Sequence, residues 1–172
     1  MLSVAAALGL TAMITADPNP MEKVIPLVNG VGGRLPSNSK GMLLDDALEN
    51  LIVSGSWTTP SAGEKHGTTW EKLTFNENGQ LQSRIGQTGI VVLTYQSDKT
   101  QPAVLEALGA SNLYVNGVLR TGDVYANGAL GLPITLRKGK NEFIFLPGRG
   151  ALQPRVILGR KLVALDLRDF TS

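Results

Sequence analysis

Apolar residues along this chain fall into short runs separated by glycine- and asparagine-centred breaks, and the densest stretch of that pattern lies between Leu113 and Gly150. Leu113-Tyr114-Val115 and Val118-Leu119 flank Asn116-Gly117, a pair whose tolerance of positive φ favours a two-residue type I′ hairpin turn. Leu132 to Leu136 and Glu142 to Leu146 flank the polar loop Arg137-Lys138-Gly139-Lys140-Asn141, which is long enough to reverse the chain. The spacing therefore predicts two hairpins, Tyr114 to Leu119 and Leu132 to Leu146, in two packed antiparallel sheets spanning Trp70 to Leu167.

Further strands are expected at Trp70 to Phe75, Leu81 to Ile85, Ile90 to Tyr95, Ala103 to Leu108, Arg155 to Leu158 and Leu162 to Leu167, with a turn at Asn78-Gly79. From Trp70 to Phe75 the alternation sets Trp70, Lys72 and Thr74 against Glu71, Leu73 and Phe75, one set on a solvent face and the other toward the core, and the strand positions of Trp70 and Tyr114 favour core packing for both rings. Ile90-Val91-Val92-Leu93 is continuously apolar, as in a central strand covered on both faces. Nearer the start, Val24 to Val28 reads as a strand that runs into a flexible turn at Gly30-Val31-Gly32-Gly33. Met42 to Val53 places Leu44, Leu48, Leu51 and Ile52 on one helical face, the one helix expected outside the first residues. Its apolar stripe should pack on the sandwich or close one end of it, because a helix this short is marginal alone.

Only 17% of residues are charged, against 20 glycines and 9 prolines, which fits a turn-rich β protein of one domain. The net charge of +2 is carried by dispersed arginines, among them Arg34, Arg84, Arg120, Arg149 and Arg168, with no basic run of the kind that binds nucleic acid. No cysteine is present, which excludes disulfides, thiol catalysis and cysteine-zinc sites. Residues 1–16, MLSVAAALGLTAMITA, are uncharged and apolar and precede Asp17-Pro18, so they read as the apolar region of a signal peptide, implying a secreted or periplasmic protein. No Lys or Arg follows Met1, so either the true start lies upstream or the segment is something else, a buried N-terminal helix being the alternative. The run is shorter than the ~20 apolar residues of a stable membrane span.

The same turn residues carry a resemblance. Tyr114-Val115-Asn116-Gly117 followed by Leu136-Arg137-Lys138-Gly139-Lys140-Asn141-Glu142 resembles the "VNG … L-x-x-G-x-N" signature of galactose-binding-like jelly-roll domains, the accessory modules of secreted glycoside hydrolases. Gly122-Asp123-x-Tyr125, Leu132-Pro133 and Gly148-Arg149-Gly150 resemble a subset that precedes α/β-hydrolase or peptidase domains in bacterial secreted proteins. The resemblance implies an all-β antiparallel jelly-roll sandwich over residues 17–172, the N-terminal module of a longer protein, with a glycan or a downstream catalytic domain as partner. Domains of this kind often hold a structural calcium ion, although no Asp-x-Asp-x-Asp spacing supports one here.

The residues themselves offer little chemistry. His66 is the only histidine, and no Gly-x-Ser-x-Gly elbow exists to present a nucleophile to it, so a solvent-exposed loop histidine is its plain reading. The carboxylates are scattered, and Gly30-Val31-Gly32-Gly33 lacks the spacing of a dinucleotide loop. Gly148-Arg149-Gly150 could cradle an anion or be an ordinary turn. Aromatic rings in turns are the better candidates for binding, because a Trp or Tyr face stacks on a sugar while polar neighbours take its hydroxyls. On that basis the expected ligand surface comprises Trp57, Asp123, Tyr125, Asn127 and Arg149, in a noncatalytic module that needs no cofactor. Two alternatives stand beside it: part of a secreted serine hydrolase or peptidase whose chemistry lies beyond Ser172, and a self-associating structural sandwich.

Overall fold

The computed structural model describes residues 22–36, 44–85, 89–123 and 131–159. The chain forms β1 (Lys23–Pro26), β2 (Gly30–Gly33), α1 (Leu44–Val53), β3 (Lys65–His66), β4 (Thr68–Thr69), β5 (Glu71–Lys72), β6 (Ile90–Ser97), β7 (Gln101–Leu108), β8 (Ala110–Val115), β9 (Val118–Thr121), β10 (Gly131–Leu136), β11 (Gly139–Pro147) and β12 (Gln153–Leu158). One sheet has the order β1-β12-β7-β10 and the other β5-β2-β6-β11-β8-β9, with every paired neighbour antiparallel. From β6 onward the chain passes from sheet to sheet, with only β8 and β9 remaining together, which is the jelly-roll manner of building a sandwich.

Period-two alternation explains the layers. Val91, Leu93, Leu113, Val115, Phe143 and Phe145 of the larger sheet meet Ala103, Leu105, Ile134, Leu136 and Val156 of the smaller one in the central core. The other face of the larger sheet is also apolar: Ile90, Val92, Tyr114, Ile144 and Leu146 pack with Leu48, Leu51 and Ile52 of α1 and with both tryptophans. The continuous apolar run of β6 is thus buried on both faces, and α1 makes a third layer where the helical stripe predicted one.

Several expectations need correction. Arg137 to Asn141 does not close a hairpin. β10 pairs with β7, whereas β11 pairs with β6 and β8, so the loop is an arch carrying the chain between sheets. Gly30 to Gly33 is a strand and not a flexible turn, wedged between β5 and β6. Its glycines are spent on close approach, since a Cβ on Gly33 would lie 2.5 Å from the Trp70 ring. Trp70 packs in the core as expected, fully buried against that strand and the helix layer. Leu81 to Ile85 contributes a single bridge, Leu81 to Phe75, and then turns, because the Ser83 hydroxyl accepts the Ile85 N–H two residues on. The expected strand Leu162 to Leu167 and the leader at residues 1–16 lie outside the described residues.

Candidate docking surface

The Asn116-Gly117 turn forms as expected. Its residues have φ of 50° and 82°, both positive as a type I′ turn requires, and they join Val115 to Val118 in direct register. Asn116 does more than turn the chain. Its side-chain oxygen accepts the Glu142 N–H at 2.9 Å, its backbone N–H donates to the Glu142 carbonyl at 2.8 Å, and its amide donates to Asn141 Oδ1 at 3.0 Å. Asn141, fully buried, also accepts the Arg137 N–H at 2.8 Å and donates to the carbonyls of Arg137 and Gly139 at 2.8 and 3.1 Å. The two asparagines of the recognisable signature therefore bolt the β8–β9 hairpin to the arch between β10 and β11.

Glu142 extends this clamp to the helix layer. Trp57 is delivered there by the end of α1: Gly55 at φ 70° donates to the Ile52 carbonyl, and the N–H groups of Ser56 and Trp57 both reach Leu51, a Schellman-type C-cap. The Trp57 indole N–H donates to Glu142 Oε1 at 3.0 Å, and the Thr59 hydroxyl donates to the other carboxylate oxygen. Lys140 Nζ donates to Thr59 Oγ1 at 3.3 Å. The Trp57 ring meets Trp70 edge-on, with centroids 6.4 Å apart at 65°, and is half-buried.

Beside this clamp lies an apolar surface. β9 is exposed along its whole length, with Val118 and Leu119 at 49% and 51% accessibility, and Val53 at the end of α1 reaches 80%. A Cβ on Gly117 would lie 3.9 Å from Ile52, so the hairpin tip and the last turn of the helix adjoin. β9 is also an edge of the larger sheet, with one row of backbone groups facing outward. Of the other described edge strands, β1 carries Lys23 and Pro26, β10 carries Pro133 and β5 is only two residues long, whereas β9 carries Arg120 and no proline.

The expected ligand surface is divided by this geometry. Trp57 sits with Glu142, at the end of β11 that pairs with Val115. Asp123, which is buried and bridges to Leu108, and Arg149, which is exposed, lie at the other end, where Pro147 pairs with Ala110 and Gly148 donates to Gly109. Five strand residues at ~3.4 Å each place about 17 Å between these ends, so Trp57 does not share one patch with Asp123 and Arg149. Tyr125 and Asn127 lie outside the described residues.

His66 takes part through its backbone in the small β3–β4 pairing, opposite Thr68. Among the described residues no three His, Asp or Glu side chains converge so as to hold a metal ion, and no helix is long and apolar enough to cross a membrane. The sequence had flagged Val118-Leu119 only as strand, and it had not flagged Asn116, Asn141, Glu142 or Thr59 as a group. The available signal was the Asn-Gly turn together with Lys-Gly-Lys-Asn-Glu. No protein-family model, curated protein or solved structure matches the chain.

Proposed function

We propose that this chain is a noncatalytic accessory sandwich of a secreted bacterial hydrolase, and that it works by docking an extended strand of its partner domain along β9. The observation that carries the reading is the exposed, proline-free β9 edge, with Val118 and Leu119 on its two faces and the helix end that bears Val53 adjoining its hairpin tip. Strand addition supplies main-chain hydrogen bonds, and apolar side chains on either side of the strand supply contact area. The resemblance of Tyr114 to Gly117 and Leu136 to Glu142 to accessory modules of secreted hydrolases supports the same reading, as does the apolar leader. Glycan binding has less support at the described aromatics. Trp70 and Tyr114 are buried, and the half-buried Trp57 gives its N–H to Glu142 and packs in a T-shaped pair with Trp70.

Hydrogen exchange at Val118 to Thr121 tests the proposal, measured in this chain alone and in the complete natural gene product. Docking predicts at least tenfold slower exchange in the latter, abolished by Val118→Lys combined with Leu119→Glu. Equal exchange in both overturns it. A glycan-array signal lost on Trp57→Ala, with β9 exchange unchanged, would replace docking with sugar binding.

A further inference from the structure

A second surface, lined by residues outside β9 and independent of the docking reading, has the makings of a ligand site. The segments Leu81 to Arg84 and Gly150 to Leu152 form the two walls of a notch of about 90 Å³, stitched together by the Leu81 N–H donating to the Leu152 carbonyl at 2.9 Å. Leu81 and Leu152 are buried in the central core and give the notch a fixed floor. Its rim is polar, and among the described residues no carboxylate lines it.

The rim is rich in donors without acceptors. Among the described residues, Arg84 forms no ion pair, and the backbone N–H groups of Ser83, Arg84, Gly150 and Ala151 meet no protein acceptor. The Ser83 oxygen accepts the Ile85 N–H at 3.2 Å, which leaves the hydroxyl proton free to donate elsewhere. Arg149, which precedes Gly150 in the chain, is exposed.

Unpaired N–H groups on loops beside a guanidinium are the chemistry of anion recognition, because an oxyanion accepts several donors at once and its charge strengthens each bond. The notch has room for an oxyanion head group. We propose that this notch binds a phosphate or sulfate group, held by the Arg84 guanidinium, the Ser83 hydroxyl and the backbone N–H groups of Gly150 and Ala151.

The test is a titration of the ¹⁵N-labelled chain with sodium phosphate, sodium sulfate and, separately, methyl phosphate, at constant ionic strength set with chloride. Binding predicts saturable shifts confined to Ser83, Arg84, Gly150 and Ala151. Arg84→Gln should weaken it about tenfold and Ser83→Ala by less, with amide dispersion elsewhere unchanged because Arg84 is exposed. A methyl phosphate response equal to that of phosphate assigns the site to an esterified group; a response to inorganic phosphate alone assigns it to the free ion. Shifts spread equally over Arg120 and Arg155, shifts that do not saturate, or shifts unaltered by Arg84→Gln reduce the notch to general charge attraction and overturn the proposal.

Discussion

Asn141→Ala puts the clamp between hairpin and arch to a quantitative test. The wild-type side chain makes four hydrogen bonds, two accepted from Arg137 N–H and the Asn116 amide and two donated to the carbonyls of Arg137 and Gly139. At ~1 kcal/mol net for each bond the ceiling is about 4 kcal/mol. Arg137 is exposed, so water re-satisfies its peptide groups in the variant, and the expected loss is about 2 to 3 kcal/mol. Urea denaturation should show it as a lower midpoint with an unchanged slope. Asn141→Asp keeps the shape and the accepting oxygen but turns a second oxygen toward two carbonyls, so it should destabilise despite its near-identical volume. Asn116→Gly keeps the left-handed φ of 50° accessible while removing the partner amide. Because both single variants remove the same 3.0 Å bond, the double variant should lose about 1 kcal/mol less than the sum of the two. A loss below about 0.5 kcal/mol for Asn141→Ala, the size of an ordinary surface change, would refute the clamp.

Two further substitutions probe the glycines on which neighbouring parts depend. Gly33→Ala should cost about 1 to 3 kcal/mol, because its Cβ at 2.5 Å forces the buried Trp70 ring to move; a red-shifted tryptophan emission with a lowered midpoint checks this. Gly117→Ala meets no obstacle nearer than 3.9 Å, so its cost should be the backbone term alone, about 1 kcal/mol by chemical denaturation.

Local chemistry was readable where local chemistry decides. Asn116-Gly117 specifies its turn from two residues, and Ile90 to Leu93 specifies a strand buried on both faces from its unbroken run. The helix stripe was equally plain, because Leu48, Leu51 and Ile52 recur at helical spacing. What escaped was pairing. Arg137 to Asn141 looks the same whether the next strand joins the same sheet or the opposite one, and the difference lies in side-chain bonds from Asn141 back to the loop and across to Asn116. Gly30 to Gly33 has no propensity for a strand and becomes one only because β6 and Trp70 demand a thin neighbour. Trp57 could be picked out as a loop aromatic, yet its carboxylate partner lies 85 residues away.

The exposure of Val118 and Leu119 was likewise beyond local reading, since an apolar pair is core or surface according to which strand ends the sheet. Their setting gives that exposure functional weight. The hairpin bearing them is held by Asn116 to β11, β11 is held through Glu142 to Trp57 and Thr59, and Trp57 is held by the cap of the helix that presents Val53. Binding costs rise with every side chain and loop that must be ordered at the interface. An edge whose backbone is already fixed from three directions avoids much of that cost, whereas the same strand on a loose hairpin would forfeit affinity in folding itself. The bracing of a β9 whose four residues are all exposed, beside β1 and β10 edges that carry Pro26 and Pro133, therefore supports the docking proposed for that edge.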